Sequence, residues 1–224
     1  MLANSPTETI ITPAKLIIDP LFASLPLVAI LRGINPAEIP DVADVLVDEG
    51  FNFLEVPLNS PGALQSIEFL AKRYGRTIYS GAGTVTDLTL LESAIDAGAR
   101  LIVTPNMNPA VIRRAAQAGC VILPGVLSPT EAFEALAYGA SGLKLFPAET
   151  LGPAHLKALR AVLPTDVACL PVGGVEASSE QMNQFRQVGA NGFGLGSGLY
   201  QPSMTLSALK QRARQYRQAW ELSQ

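Results

Sequence analysis

With 224 residues, 48% hydrophobic and 16% charged, the chain can bury a large core, which excludes a disordered protein and fits one large α/β domain or two small ones. A formal net charge of −3 without a clustered Lys/Arg patch excludes a nucleic-acid footprint, and no apolar run approaches the ~18 residues of a membrane span. Cys120 and Cys169 lie in apolar strand-like runs, without metal-ligand spacing to each other or to the single histidine, so both read as reduced core thiols and no metal site is expected.

The opening segment, MLANSPTETIITPAKLIIDPLFASL, lacks a basic stretch followed by an apolar one, so no secretory signal is expected and a cytoplasmic location is. Residues 1–24 are expected to form a helical extension that closes the bottom of a barrel domain spanning 25–224. From there strand-like runs recur at roughly 20–27-residue intervals: PLVAILRG, FNFLEVPLNS, RTIYSGAGT, ARLIVTPN, CVILPGV, SGLKLFP, VACLPVGG and NGFGLGS. Segments of helical periodicity separate them, many opening on Pro or Asp (NPAE, TDLT, SPTE) and most ending on Gly, such as Gly50, Gly98, Gly119 and Gly189. The last, with RARQYR (Arg212–Arg217), reads as a solvated helix face. Eight such units point to a (β/α)8 TIM barrel of ~200 residues, the low end of that fold's range. An open doubly wound sheet is the alternative; no G-x-G-x-x-G follows the first strand to support it.

Active sites of this fold lie at the C-terminal ends of the strands, so polar side chains on inward faces near those ends are the candidates. Taking the larger apolar pairs as outward-facing, Ile30 aligns with Arg32, Phe53 with Glu55, Ala82 with Thr84, Ile102 with Thr104, and Lys144 with Phe146. Arg32, Glu55, Thr84, Thr104 and Lys144 are therefore expected at the barrel mouth. A threonine there can be a satisfied core residue, and Glu55 with Lys144 can be a buried ion pair without chemistry. A carboxylate, an ammonium and a guanidinium on three strands are nevertheless costly to bury, which favours function. Lys144 is the only lysine in a strand; Lys15, Lys72, Lys157 and Lys210 fall on helical faces.

PVGGV ends the seventh strand and GLGSG the eighth, where this fold commonly binds phosphate. Gly173, Gly174, Gly196 and Ser197 are candidate phosphate ligands through backbone N–H groups; the plainer reading is tight βα turns. A lysine in an apolar pocket has a lowered pKa, and its neutral amine can form a Schiff base with a keto substrate. Glu55 suits the general acid/base and Arg32 a substrate carboxylate. Together these residues point to a class I aldolase acting on a phosphorylated 2-keto acid, with no cofactor.

LRGI, EVPLNSP, GAGTV, VTPN, PGV-SPTEA, LKLFPAE, PVGGV and GLGSGLY, in order over about residues 25–220, resemble the bacterial 2-keto-3-deoxy-6-phosphosugar-acid aldolases. The resemblance implies a homotrimeric barrel that releases pyruvate and D-glyceraldehyde 3-phosphate. It implies the Schiff base on Lys144, acid/base work by Glu55, and the pyruvyl carboxylate near Arg32 and Thr84, with Pro105 and Phe146 lining the pocket. Asn59 and Val172 stand where the gluconate branch typically has Arg and Thr, so they are the expected specificity positions and favour the galactonate branch. Glu149 does not discriminate the branches, and His155, at a helix start, reads as a surface residue.

Overall fold

The computed structural model describes residues 10–223. The first nine residues of the expected N-terminal extension lie outside them. The rest of that extension is two five-residue helices, α1 (Pro13–Ile17) and α2 (Pro20–Ser24), rather than one. Pro20 cannot continue α1, and Asp19 restarts the chain by accepting from the N–H groups of Leu21 and Phe22.

Strands and helices then alternate: β1 (Leu27–Ile30), α3 (Ile39–Asp48), β2 (Phe53–Pro57), α4 (Ala63–Tyr74), β3 (Tyr79–Gly83), α5 (Leu88–Asp96), β4 (Leu101–Val103), α6 (Pro109–Gln117), β5 (Val121–Leu123), β6 (Gly125–Val126), α7 (Pro129–Ala137), β7 (Gly142–Leu145), α8 (Ala148–Arg160), β8 (Ala168–Pro171), α9 (Ser179–Arg186), β9 (Phe193–Leu195) and α10 (Leu206–Leu222). Side-chain caps start many of the helices. Asn108 caps α6, and Ser128 with Glu131 forms a complete capping box at α7. Gly119 and Gly189, just past α6 and α9, take φ of 71° and 103°, the left-handed stop conformation.

All strand pairs are parallel. One sheet has the order β5-β4-β3-β2-β1-β9 and the other β6-β7-β8. The expected fifth strand is split into β5 and β6 by Pro124, which has no N–H for a ladder. At the other end of the two sheets, Val172 and Gly194 form a single parallel bridge.

Two apolar clusters lie on opposite faces of the strands. The larger joins strand residues such as Leu54, Ala82, Ile102 and Leu143 to the helices. The smaller gathers Val28, Phe53, Tyr79, Leu101, Val121 and Leu170 from both sheets, with Leu16 of α1 and Phe22 of α2 packed against them. Phe53 stacks on Tyr79 with centroids 5.0 Å apart, and the Tyr79 hydroxyl donates to Asp19 Oδ2 at 2.8 Å. The N-terminal helices therefore seal the floor beneath the strands, on the face that carries the functional side chains higher up.

These clusters correct the expected facing of the third and fourth strands. Ala82 and Ile102 face the helices, whereas Tyr79, Leu101 and Val103 face the interior. Residue size misleads here, because a tyrosine with a carboxylate partner can serve as interior floor.

Candidate active site

A cavity of about 970 Å³ opens at the C-terminal ends of the strands. Glu55 on β2 and Lys144 on β7 line it at 2% and 8% exposure, deep enough for the charged form of each to be disfavoured. Burial pushes the Glu55 carboxyl up to about 7 against the opposing pull of Lys144 and Arg32. Burial also lowers the Lys144 amine; the Glu55 charge opposes that shift and Arg32 reinforces it. Glu55 Oε2 has no hydrogen-bond partner among the described residues, so an acceptor stands free in the site. Lys144 Nζ lies 4.9 Å from the centroid of the Phe146 ring, which also lines the cavity.

Arg32 follows β1 and is held on two sides. Nη1 donates to Asn59 Oδ1 at 2.9 Å, and Nη2 approaches Thr84 Oγ1 at 3.5 Å. Thr84 reaches the cavity by a route that strand alternation does not give. It lies just past β3 with φ of 58°, a strained conformation for a β-branched residue. Pro105 also lines the cavity.

Thr104 does not. It is fully buried, and its hydroxyl donates to the Asn106 carbonyl at 2.5 Å and accepts from Gly125 N–H at 3.3 Å. Its place on the Ile102 face makes it a brace between the chain after β4 and the start of β6. Asn59 likewise stays outside the cavity lining and touches the site through Arg32, whereas Val172 lines it directly.

Gly173, Gly174, Gly196 and Ser197 all line the far side of the cavity. Gly173 and Gly174 have φ of 100° and 67°, so only glycine fits this turn without strain. Among the described residues nothing accepts from the backbone N–H of Gly174, Ser197 or Gly198, so these donors remain available to an anion.

Several cavity residues escaped sequence reasoning: Gly198, Tyr200 with a buried hydroxyl that has no hydrogen-bond partner among the described residues, and Arg212 and Tyr216 on α10. RARQYR is therefore not wholly solvated. The signal for its buried face was the apolar row Leu209, Ala213, Tyr216 and Ala219, at helical spacing. Glu149 lines the rim, while His155 lies outside the cavity lining, its Nε2 2.6 Å from the Leu127 carbonyl. Among the described residues no cluster of His, Cys, Asp or Glu could hold a metal ion, and no helix is long and apolar enough to cross a membrane.

Residues 18–208 match the family described as "Aldolase: KDPG and KHG aldolase". A probable 2-dehydro-3-deoxy-6-phosphogalactonate aldolase of Rhizobium meliloti (strain 1021) is 48% identical over 188 residues, 84% of this chain and 88% of that protein. The 2-dehydro-3-deoxy-6-phosphogalactonate aldolase of Escherichia coli (strain K12) is 43% identical over 196 residues, 88% and 95% of the two chains. A solved structure described as native KDPGal superposes with a TM-score of 0.86 at 43% identity, over 89% of this chain and 96% of the other. KDPG aldolase from Legionella pneumophila, solved with pyruvate captured as a covalent carbinolamine, superposes with a TM-score of 0.76 at 25% identity, over 91% and 97%. The chain belongs to the KDPG and KHG aldolase family.

Proposed function

We propose that this protein is a class I aldolase that cleaves 2-dehydro-3-deoxy-6-phosphogalactonate to pyruvate and D-glyceraldehyde 3-phosphate. The observation that carries this is the pairing of Lys144 and Glu55 in one cavity, the amine lowered and the carboxyl raised by the same burial. The neutral Lys144 amine attacks the C2 carbonyl, and the resulting carbinolamine loses water to give an iminium. Arg32, aligned by Asn59 and Thr84, pairs with the C1 carboxylate, and the glycine loops hold the phosphate.

Glu55 as carboxylate takes the C4 hydroxyl proton. The C3–C4 bond breaks, its electron pair flows into the iminium to leave an enamine, and the aldehyde departs. Glu55 returns its proton to C3, and water hydrolyses the iminium to pyruvate and free Lys144. The water lost in the first stage is regained in the last, so the reaction balances. The carbinolamine trapped in the Legionella relative supports the covalent route. Galactonate preference is supported by Asn59 and Val172 and by the names of the two relatives.

The two sheets are read as one closed (β/α)8 barrel, running through Pro124 and the Val172–Gly194 bridge, with residues 25–224 as the barrel domain and 1–24 as an extension. A cytoplasmic homotrimer is part of the same proposal. Exposed Leu127 and Phe133, at 45% and 46%, are apolar surface that a subunit contact would cover.

Two measurements test the function. Borohydride with pyruvate should label Lys144 covalently, and turnover without such labelling would overturn the Schiff-base route. A side-by-side assay of the two C4-epimeric 6-phospho-2-keto-3-deoxy acids should favour the galactonate form, and equal rates would remove the argument from Asn59 and Val172.

A further inference from the structure

Three cationic side chains line the cavity: Arg32, Lys144 and Arg212. The first two serve the keto-acid end. On the side of the glycine loops the lining includes two carboxylates, Glu149 and Glu176, which would repel a phosphate dianion. The unclaimed N–H groups of Gly174, Ser197 and Gly198 are neutral donors. A site built from them alone would hold a dianion against two like charges.

Arg212 stands where the missing charge is needed. Its Nη1 donates to the Ser197 carbonyl at 3.3 Å, which fixes the guanidinium beside the loop that presents the Ser197 and Gly198 N–H groups. An arginine has five N–H donors, so four remain for a ligand. Its neighbours on α10 are used differently. Lys210, Arg214 and Arg217 lie 3.9, 2.9 and 3.8 Å from the buried carboxylate of Glu49, whereas Arg212 forms no ion pair with a carboxylate among the described residues.

Tyr216, one turn further along α10, touches both glycine loops. Its hydroxyl donates to the Val175 carbonyl at 2.8 Å, and a Cβ on Gly198 would come within 2.1 Å of that oxygen. The same face of α10 thus fastens the loop after β8 and abuts the loop after β9. Both residues lie beyond the segment matched by the family, which ends at residue 208.

Resting on the aldolase reading above, we infer that Arg212 is a substrate-binding residue, the cation that receives the phosphate of the keto acid, and that Tyr216 is a positioning residue holding the two glycine loops around it. The charge-assisted contact strengthens binding of a phosphorylated substrate over its unphosphorylated counterpart, which makes α10 a determinant of that selectivity.

The test compares the native protein with Arg212→Ala, Arg212→Gln and Arg212→Lys. Inorganic phosphate binding is followed by phosphorus NMR titration, and kcat/KM is measured for the 6-phosphorylated keto acid and for the same acid without phosphate. The Ala and Gln variants should each bind phosphate about tenfold or more weakly, with Lys intermediate, and the ratio of the two kcat/KM values should fall by a similar factor. Gln retains a donor for the Ser197 carbonyl without the charge. Native-like phosphate binding by Arg212→Gln, or an unchanged ratio, overturns the inference, and the Gln variant decides if the Ala variant does not fold. The NMR arm needs no turnover, so a failure of the aldolase reading shows separately, as native protein that binds phosphate but is not labelled by pyruvate and borohydride.

Discussion

Gly83 on β3 leaves the space that the carboxyl of Glu55 on β2 occupies: a Cβ at Gly83 would lie 1.8 Å from Oε2 and 2.3 Å from Cδ. Gly83 is not in the left-handed region, so alanine there carries no backbone penalty and acts only by displacing the acid. Gly83→Ala should lower kcat by roughly ten- to a hundredfold, a part of the ~10²–10⁴ that general acid–base catalysis contributes. Borohydride trapping of pyruvate on Lys144 should persist. Loss of trapping in step with kcat would mean that the substitution disturbs more than Glu55.

The raised pKa of Glu55 predicts a pH profile. Cleavage needs the ionised carboxylate to take the C4 proton, so kcat/KM should rise with pH through a limb near 7. Glu55→Gln should abolish that limb and slow turnover by about 10²–10⁴. A native profile flat through that range would remove Glu55 as the base.

The same shift links stability to pH. Between 4.5, the ordinary value, and about 7 the folded protein binds the more protons at Glu55, so this group's contribution falls as pH rises. The full fall corresponds to about 3 kcal/mol. Urea unfolding at about pH 5 and about pH 8 should show Glu55→Gln losing less stability across that interval than the native chain. An equal loss in both would place the pH dependence elsewhere.

Val172 lines the cavity at 7% exposure and packs against Gly194. Val172→Thr keeps the volume and adds a hydroxyl that can bond the epimeric C4 hydroxyl. The galactonate-to-gluconate ratio of kcat/KM should shift toward gluconate by about tenfold, because hydroxyl recognition discriminates more strongly than apolar contact. An unchanged ratio would move specificity away from this position.

Glu49, buried at the end of α3, meets three cations of α10. The cations are half-exposed, so Glu49→Ala should cost about 1–3 kcal/mol in chemical denaturation, less than a fully buried pair. Because α10 carries Arg212, the variant should also weaken binding of the phosphorylated substrate; a stability loss without that effect would uncouple the helix from the site.

Lys144, Glu55 and the paired glycines were legible in the sequence because each breaks a local rule: a charge in an apolar strand, or glycine pairs ending two successive strands. The facing of β3 and β4 was not, since Tyr79, which size alone assigns outward, stacks on Phe53 and donates to Asp19 to fill the floor, with Leu101 and Val103 beside it. Thr84 was placed at the mouth for the wrong reason, as it arrives through a left-handed residue rather than strand alternation. Arg212 was hidden because a cation on a polar helix has no local signature; only tertiary packing separates it from Arg214 and Arg217.

The dependence of both glycine loops on α10 ties catalysis to the order of synthesis. β2 and β7, which carry Glu55 and Lys144, precede α10 in the chain, so they emerge and can begin to fold before α10 leaves the ribosome. The face bearing Arg212 and Tyr216 is made after all nine described strands. On the inferred role of Arg212, competence for a phosphorylated substrate follows the synthesis of α10, and chains that stop short of that helix would gather Lys144 and Glu55 without the contacts that retain the phosphate.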